Sequence, residues 1–165
     1  MKRLFQLATP YLEKNDFGVG HTKRVLAMAQ QLSIPMTDEE LVFTTIIVHD
    51  IGGPSIKELY ELGPHLARKL LTTLEYNENI IENICNILRT HHERPETPSK
   101  LFMIVYDADQ LVKFSKEEFK LYHMLNTNWN EIIINLNHTH SKELANKLLR
   151  KALKPNTSKA RAIAS

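Results

Sequence analysis

The sequence predicts an all-α chain folded as one compact bundle. Three observations carry this. Apolar residues recur at helical spacing along most of the 165 residues, strand alternation is nearly absent, and the few breakers fall between the helical stretches. The length suits a single domain with a real core, and 42% hydrophobic with 24% charged residues are globular values.

Taken in order, the first helix is expected from Lys2 to Lys14, ending at Asn15-Asp16-Phe17-Gly18. The second, Gly20 to Leu32, places His21, Val25, Met28 and Leu32 on one stripe. After Ser33-Ile34-Pro35-Met36, Thr37 and Glu40 form a capping-box pattern for the third helix. That helix aligns Val42, Thr45 or Ile46, and His49, and stops at Gly52-Gly53-Pro54. The fourth is read from Gly63 to Leu74 on the stripe Leu66, Leu70, Leu74. The fifth starts at Asn79, repeats Ile80, Ile84, Ile87 or Leu88, and His91, and ends before Pro95. A sixth follows Pro98, from Lys100 to Lys113, and Ser115 with Glu118 is a capping-box pattern for another. Trp129 to Leu136 reads as helix, although Ile132-Ile133-Ile134 also suits a strand. The last helix spans Ser141 to Leu153 and ends at Pro155.

The expected organisation is one domain over residues 1–154 and a flexible basic tail over 155–165. From Ser141 to Ser165 there are seven Lys or Arg and one acid, leaving residues 1–140 with 14 basic and 18 acidic side chains. Aromatics do not interleave the basic positions, so the tail reads as a solvated helix end and not as a nucleic-acid site. The longest apolar stretch, Leu41 to Val48, is too short to span a bilayer, and no leader pattern stands at Met1. A lone cysteine, Cys85, fits a reducing compartment, so a cytoplasmic location is expected.

Four features bear on chemistry: His21 on a buried stripe, His49-Asp50 at the end of one apolar helix, His91-His92 at the end of another, and Asp107-Ala108-Asp109 within a third. Each alone has a plain structural explanation, as a core histidine, a charged helix end or a surface acid. Together they place imidazoles and carboxylates among core-facing positions, where ionised groups need a partner. A divalent cation supplies one, since both group types coordinate it. Neighbours on a helix diverge by about 100°. His49 and Asp50 therefore serve one site only near a helix end, which Gly52-Gly53 provides, or by facing two metals.

The ordered set with its flanks resembles the HD-domain superfamily of metal-dependent phosphohydrolases. Gly20-His21-Thr22-Lys23-Arg24-Val25-Leu26-Ala27-Met28-Ala29 resembles the helix of the first ligand. Ile46-Ile47-Val48-His49-Asp50-Ile51-Gly52 resembles the central motif, and Ala108-Asp109-Gln110-Leu111 the closing segment. The resemblance covers Gly18 to Lys113. It implies His21, His49, Asp50 and Asp109 as ligands of one metal. Periodicity leaves Asp107 and Asp109 both able to face inward, and the family pattern favours Asp109, with Asp107 as a supporting group. His91-His92-Glu93-Arg94 resembles the paired histidines of two-metal branches, including the HD-GYP phosphodiesterases, although the Gly-Tyr-Pro that names that branch is missing. His65 is a further candidate ligand; the two-metal families carry that histidine earlier, near Tyr60 here.

The resemblance implies hydrolysis of a phosphate ester or diester of a small, nucleotide-like substrate by metal-activated water. His49 and Asp50 stand at the reacting centre, Asp50 bridges two ions where two are bound, and Arg24 and Arg94 contact phosphate. Lys57, Arg68 and Arg89 are more distant candidates for such contacts. The cofactor is one or two divalent ions of manganese, iron, cobalt, nickel or zinc, or magnesium. The competing readings are a di-iron oxygenase and a non-catalytic binding or signalling module. His123, His138 and His140 lie outside the resembling region and read as solvated.

Overall fold

The computed structural model describes residues 1–15, 17–32 and 38–154. Among these, nine helices and no strand occur: α1 (Lys2–Leu12), α2 (Gly18–Gln31), α3 (Glu39–Val48), α4 (Ile56–Thr73), α5 (Glu78–Leu88), α6 (Lys100–Val112), α7 (Phe119–Met124), α8 (Trp129–Asn135) and α9 (Thr139–Leu153). The all-α expectation holds, and Ile132-Ile133-Ile134 is helical. No helix among the described residues is long and apolar enough to cross a membrane. The tail at 155–165 lies outside the described residues.

The helix α3 is the centre of the molecule. Val42, Thr44, Thr45, Ile46, Ile47 and Val48 are all buried, so it is covered on every side. Val42 and Ile46 join an apolar cluster built chiefly from α2, α6, α8 and α9. Ile47 and Val48 join another, built from α1, α4 and α5. The chain leaves α3 at His49-Asp50, so that dipeptide sits at the junction of the two clusters.

Two helix-start signals of the sequence act differently in the structure, and a third falls partly outside the described residues. Thr37 lies outside the described residues; the N-cap of α3 is Asp38, whose carboxylate accepts the Leu41 N–H at 2.9 Å. The helix α4 begins at Ile56 and runs through Gly63-Pro64, which the sequence suggests as its start. Ser55 and Glu58 form a full capping box there, and the interior proline does not end the helix. Its carbonyl accepts the Cys85 thiol at 3.3 Å from α5. The Ser115-Glu118 capping box does not form: Glu118 makes no cap hydrogen bond and turns into the interior, 0% exposed.

Gly52 fixes how α4 meets the end of α3. A Cβ at this position would lie 2.5 Å from the Glu58 carbonyl oxygen and the Leu59 Cα, and 2.9 Å from the Leu59 nitrogen. Only a glycine lets the loop touch the backbone of α4 so closely. Asn15, after α1, holds the other side by donating to the Asp50 carbonyl.

Candidate metal centre

Two of the site histidines are oriented by their own helices. His49 follows α3 directly, and its Nδ1–H donates to the Ile46 carbonyl at 2.7 Å. His91 follows α5, and its Nδ1–H donates to the Leu88 carbonyl at 3.1 Å. Carbonyls in a last helical turn lack intrahelical partners and are free to accept. In each ring the carbonyl fixes the proton on Nδ1 and turns Nε2 inward.

His21 sits in the first turn of α2, where carbonyls are already engaged within the helix. Its Nδ1 is bonded instead by a carboxylate from another element, Glu118 Oε1, at 3.0 Å. The same oxygen accepts from Arg24 Nε at 2.9 Å and Nη2 at 2.6 Å. His21 Nε2 then lies 3.0 Å from Asp109 Oδ1 and 3.4 Å from Asp50 Oδ2.

Asp50 is the hub. Its Oδ2 faces His21 Nε2 and, at 3.2 Å, His49 Nε2. Its Oδ1 faces His91 Nε2 at 3.3 Å and His92 Nε2 at 4.0 Å. Two groups able to hold a cation follow, His21-His49-Asp50 and Asp50-His91-His92, with Asp50 common to both. Asp109 Oδ1 lies 3.8 Å from His49 Nε2 and closes the first group.

The donor set fits divalent cations on an observation of its own. His49 Nε2 and His92 Nε2 are buried and make no hydrogen bond, although both point towards Asp50. Buried polar atoms are seldom left so, and a cation would satisfy them. The electrostatics point the same way. Burial opposes charge on His21, yet the bonds from Asp109 and Glu118 prevail and raise its pKa to about 10. His49 is also pushed up: burial opposes, and Asp50 and Asp109 outweigh it. Asp50 and Asp109 are held below the usual carboxylate range against burial, Asp50 chiefly by His49 and His91 and Asp109 by His21 and His49. The arrangement therefore favours positive charge at the cluster, which is what a cation-holding group requires. His92 differs: burial and neighbouring His91 push it down to about 4, so it stays a neutral donor.

The remaining candidates go elsewhere. His65 is exposed on the outer face of α4 and is not brought to the cluster. With α4 starting at Ile56, it is Tyr60 that faces the site, its ring centroid 6.1 Å from those of His91 and His92. Arg24 is committed to Glu118, and Arg94 is exposed outside the cleft. Arg68 pairs with Glu78 and Glu82, Arg89 with Glu82 and Asn86, and Lys57 is exposed near Glu61. Asp107 does not back the site. It accepts four hydrogen bonds, from the backbone and side chains of Asn137 and His138, and ties α6 to the start of α9. His138 is thus bonded rather than solvated, and His123 stacks on Phe119 at 5.4 Å.

An open cleft of about 480 Å³ leads to Asp50 and Asp109. Its one lining lysine or arginine among the described residues is Lys113, which donates to Gln110 Oε1 at 2.7 Å and lies over the Tyr122 ring. Phe17 and Tyr122, stacked at 6.2 Å, line the same cleft. The sequence reading passed over Lys113, whose signal is its place one helical turn beyond Asp109. It also passed over Glu118 as a site residue, for which Arg24 in the turn after His21, in need of an acid, was the sole clue.

The protein-family model for the HD domain matches residues 18–113, more than half of the chain. The matched span ends at Lys113, before Glu118. No curated protein and no solved structure matches the chain.

Proposed function

Because the chain belongs to the HD-domain family, we propose that it is a metal-dependent phosphohydrolase acting on a phosphate ester of a small, nucleotide-sized molecule. The observation that carries this reading is the division of Asp50, with Oδ2 turned to His21 and His49 and Oδ1 to His91 and His92. His21, His49, Asp50 and Asp109 would hold one cation, and Asp50, His91 and His92 a second. Manganese, iron, cobalt, nickel or zinc suits such a mixed imidazole and carboxylate set.

Bound there, divalent ions supply Lewis acidity, acidifying water and drawing charge from a phosphoryl oxygen. The protein's own groups do the rest. The Ile46 and Leu88 carbonyls keep the protons of His49 and His91 on Nδ1, so each ring arrives with Nε2 as donor. Lys113, poised in the cleft, attracts the anionic ester and offsets the negative charge on the phosphoryl oxygens. Phe17 and Tyr122 offer a flat apolar surface to the organic group. Water adds to phosphorus, the ester P–O bond breaks, and the alcohol leaves with a proton. Neither a serine nor a cysteine nucleophile is required; Cys85 is buried in the α4–α5 interface.

The test is turnover of p-nitrophenyl phosphate, bis(p-nitrophenyl) phosphate and the nucleoside 5′-monophosphates by protein reconstituted with each metal. Phosphate or p-nitrophenol release that chelator abolishes and metal restores is the expected result. Oxygen uptake by the iron form without phosphate release would transfer the site to an oxygenase. Metal binding with neither activity would leave a binding module.

A further inference from the structure

Glu118 has no place in the matched HD span, yet it is the most enclosed acid at the site. It is 0% exposed, and its Oε1 accepts from His21 Nδ1 and twice from Arg24, while Oε2 is buried without a partner. Burying a carboxylate this completely is costly unless charge and hydrogen bonds compensate it. Arg24 supplies the charge, from the same helix as His21 and three residues further on.

Comparison of the site histidines shows what the pair does. His49 and His91 take their orientation from carbonyls of their own helix ends. His21, in a first helical turn, has no such carbonyl to fix its proton on Nδ1, and the carboxylates of Asp50 and Asp109 beside Nε2 would draw the proton there. The geometry assigns Glu118 as the positioning residue of His21: pinned by Arg24, its carboxylate holds the ring proton on Nδ1 and keeps Nε2 aimed between Asp50 and Asp109 as a metal donor. Histidine ligands commonly lean on a carboxylate in this way. Arg24 thereby serves the metal and not the substrate phosphate. The inference rests on the metal-site reading, but not on which reaction the site performs.

The experiment measures binding of manganese or cobalt alone by calorimetry, without substrate, on wild type, Glu118→Gln and Arg24→Gln. The thermal midpoint of each metal-free protein is recorded in parallel. Glu118→Gln is expected to weaken the ion held by His21 about 10–100-fold, with altered cobalt absorption bands and a cooperative metal-free transition. Arg24→Gln, at a half-buried position and with Glu118 still present, is expected to weaken it severalfold, and it carries the test should Glu118→Gln fail to fold. Wild-type affinity and spectra in both variants would overturn the assignment. So would an Arg24→Gln protein that binds metal normally but no longer binds inorganic phosphate. A wild type that binds metal but hydrolyses no ester would sink only the phosphohydrolase reading, whereas a wild type that binds no metal would overturn both.

Discussion

Asp107 and Asp109, two positions apart on α6, face opposite parts of the molecule. Asp109 Oδ1 lies 3.0 Å from His21 Nε2 in the site, whereas Asp107 Oδ2 lies 2.8 Å from His138 Nδ1 at the entry to α9. Two helical steps turn a side chain by about 200°, so one helix serves a chemical and a structural role without conflict.

Exchanging each for alanine separates the roles. Asp107→Ala leaves four donors from Asn137 and His138 without their acceptor and is expected to cost roughly 2–4 kcal/mol of stability while metal binding persists. Asp109→Ala is expected to keep the fold and lose most of the metal affinity. Denaturant unfolding beside metal titration checks both; loss of metal in Asp107→Ala with unchanged stability would reverse the assignment.

Gly52 is predicted to tolerate no side chain. A methyl group there meets backbone atoms of Glu58 and Leu59 at 2.5–2.9 Å, and backbone cannot rotate aside as a side chain can. Gly52→Ala is expected to destabilise the protein by roughly 1–3 kcal/mol and to weaken metal binding, since the loop it displaces begins at Asp50. An unchanged melting temperature would show that α4 yields more readily than its packing implies.

Metal affinity and metal-free stability should respond to pH in opposite directions. The His21 pKa of the folded protein, about 10, exceeds the ordinary value of 6.5. Its protonation therefore contributes stability that is fully present below about pH 6.5 and is lost as pH rises towards 10. The same proton must leave before Nε2 can bind a cation, so the metal dissociation constant is expected to fall with rising pH across that window, up to about tenfold per unit for each proton displaced. Calorimetry at pH 6, 7, 8 and 9 in buffers of different ionisation enthalpy counts the protons released. A pH-independent affinity with no proton release would contradict the account.

Lys113 is predicted to act on the substrate. Lys113→Met retains the apolar stem and removes the charge. It is expected to raise KM for a phosphate ester and the inhibition constant of inorganic phosphate by about tenfold, near 1.4 kcal/mol, while metal still binds. Unchanged phosphate inhibition would place the anion elsewhere in the cleft.

What the sequence revealed and what it hid divide along physical lines. His49-Asp50 and His91-His92 were legible because each closes an apolar helix, a local pattern that survives without knowledge of the packing. The central burial of α3 was likewise written in its run from Leu41 to Val48. Glu118 was hidden because its partner His21 stands 97 residues away and because Ser115-x-x-Glu118 imitates a capping box. His65 remained a candidate because Gly63-Pro64 imitates a helix start, when Ser55 and Glu58 had already begun the helix. Asp107 and Asp109 both satisfy helical spacing, and only the docking of α9 against α6 distinguishes them.

The central claim is that Asp50 joins two cation-binding groups, and metal stoichiometry tests it most directly. Elemental analysis after saturation and desalting should find two ions per chain in the wild type, one in a His91→Ala, His92→Ala double variant, and close to none in Asp50→Ala. A wild type without bound metal, or an Asp50→Ala protein that retains its full complement, would contradict the account.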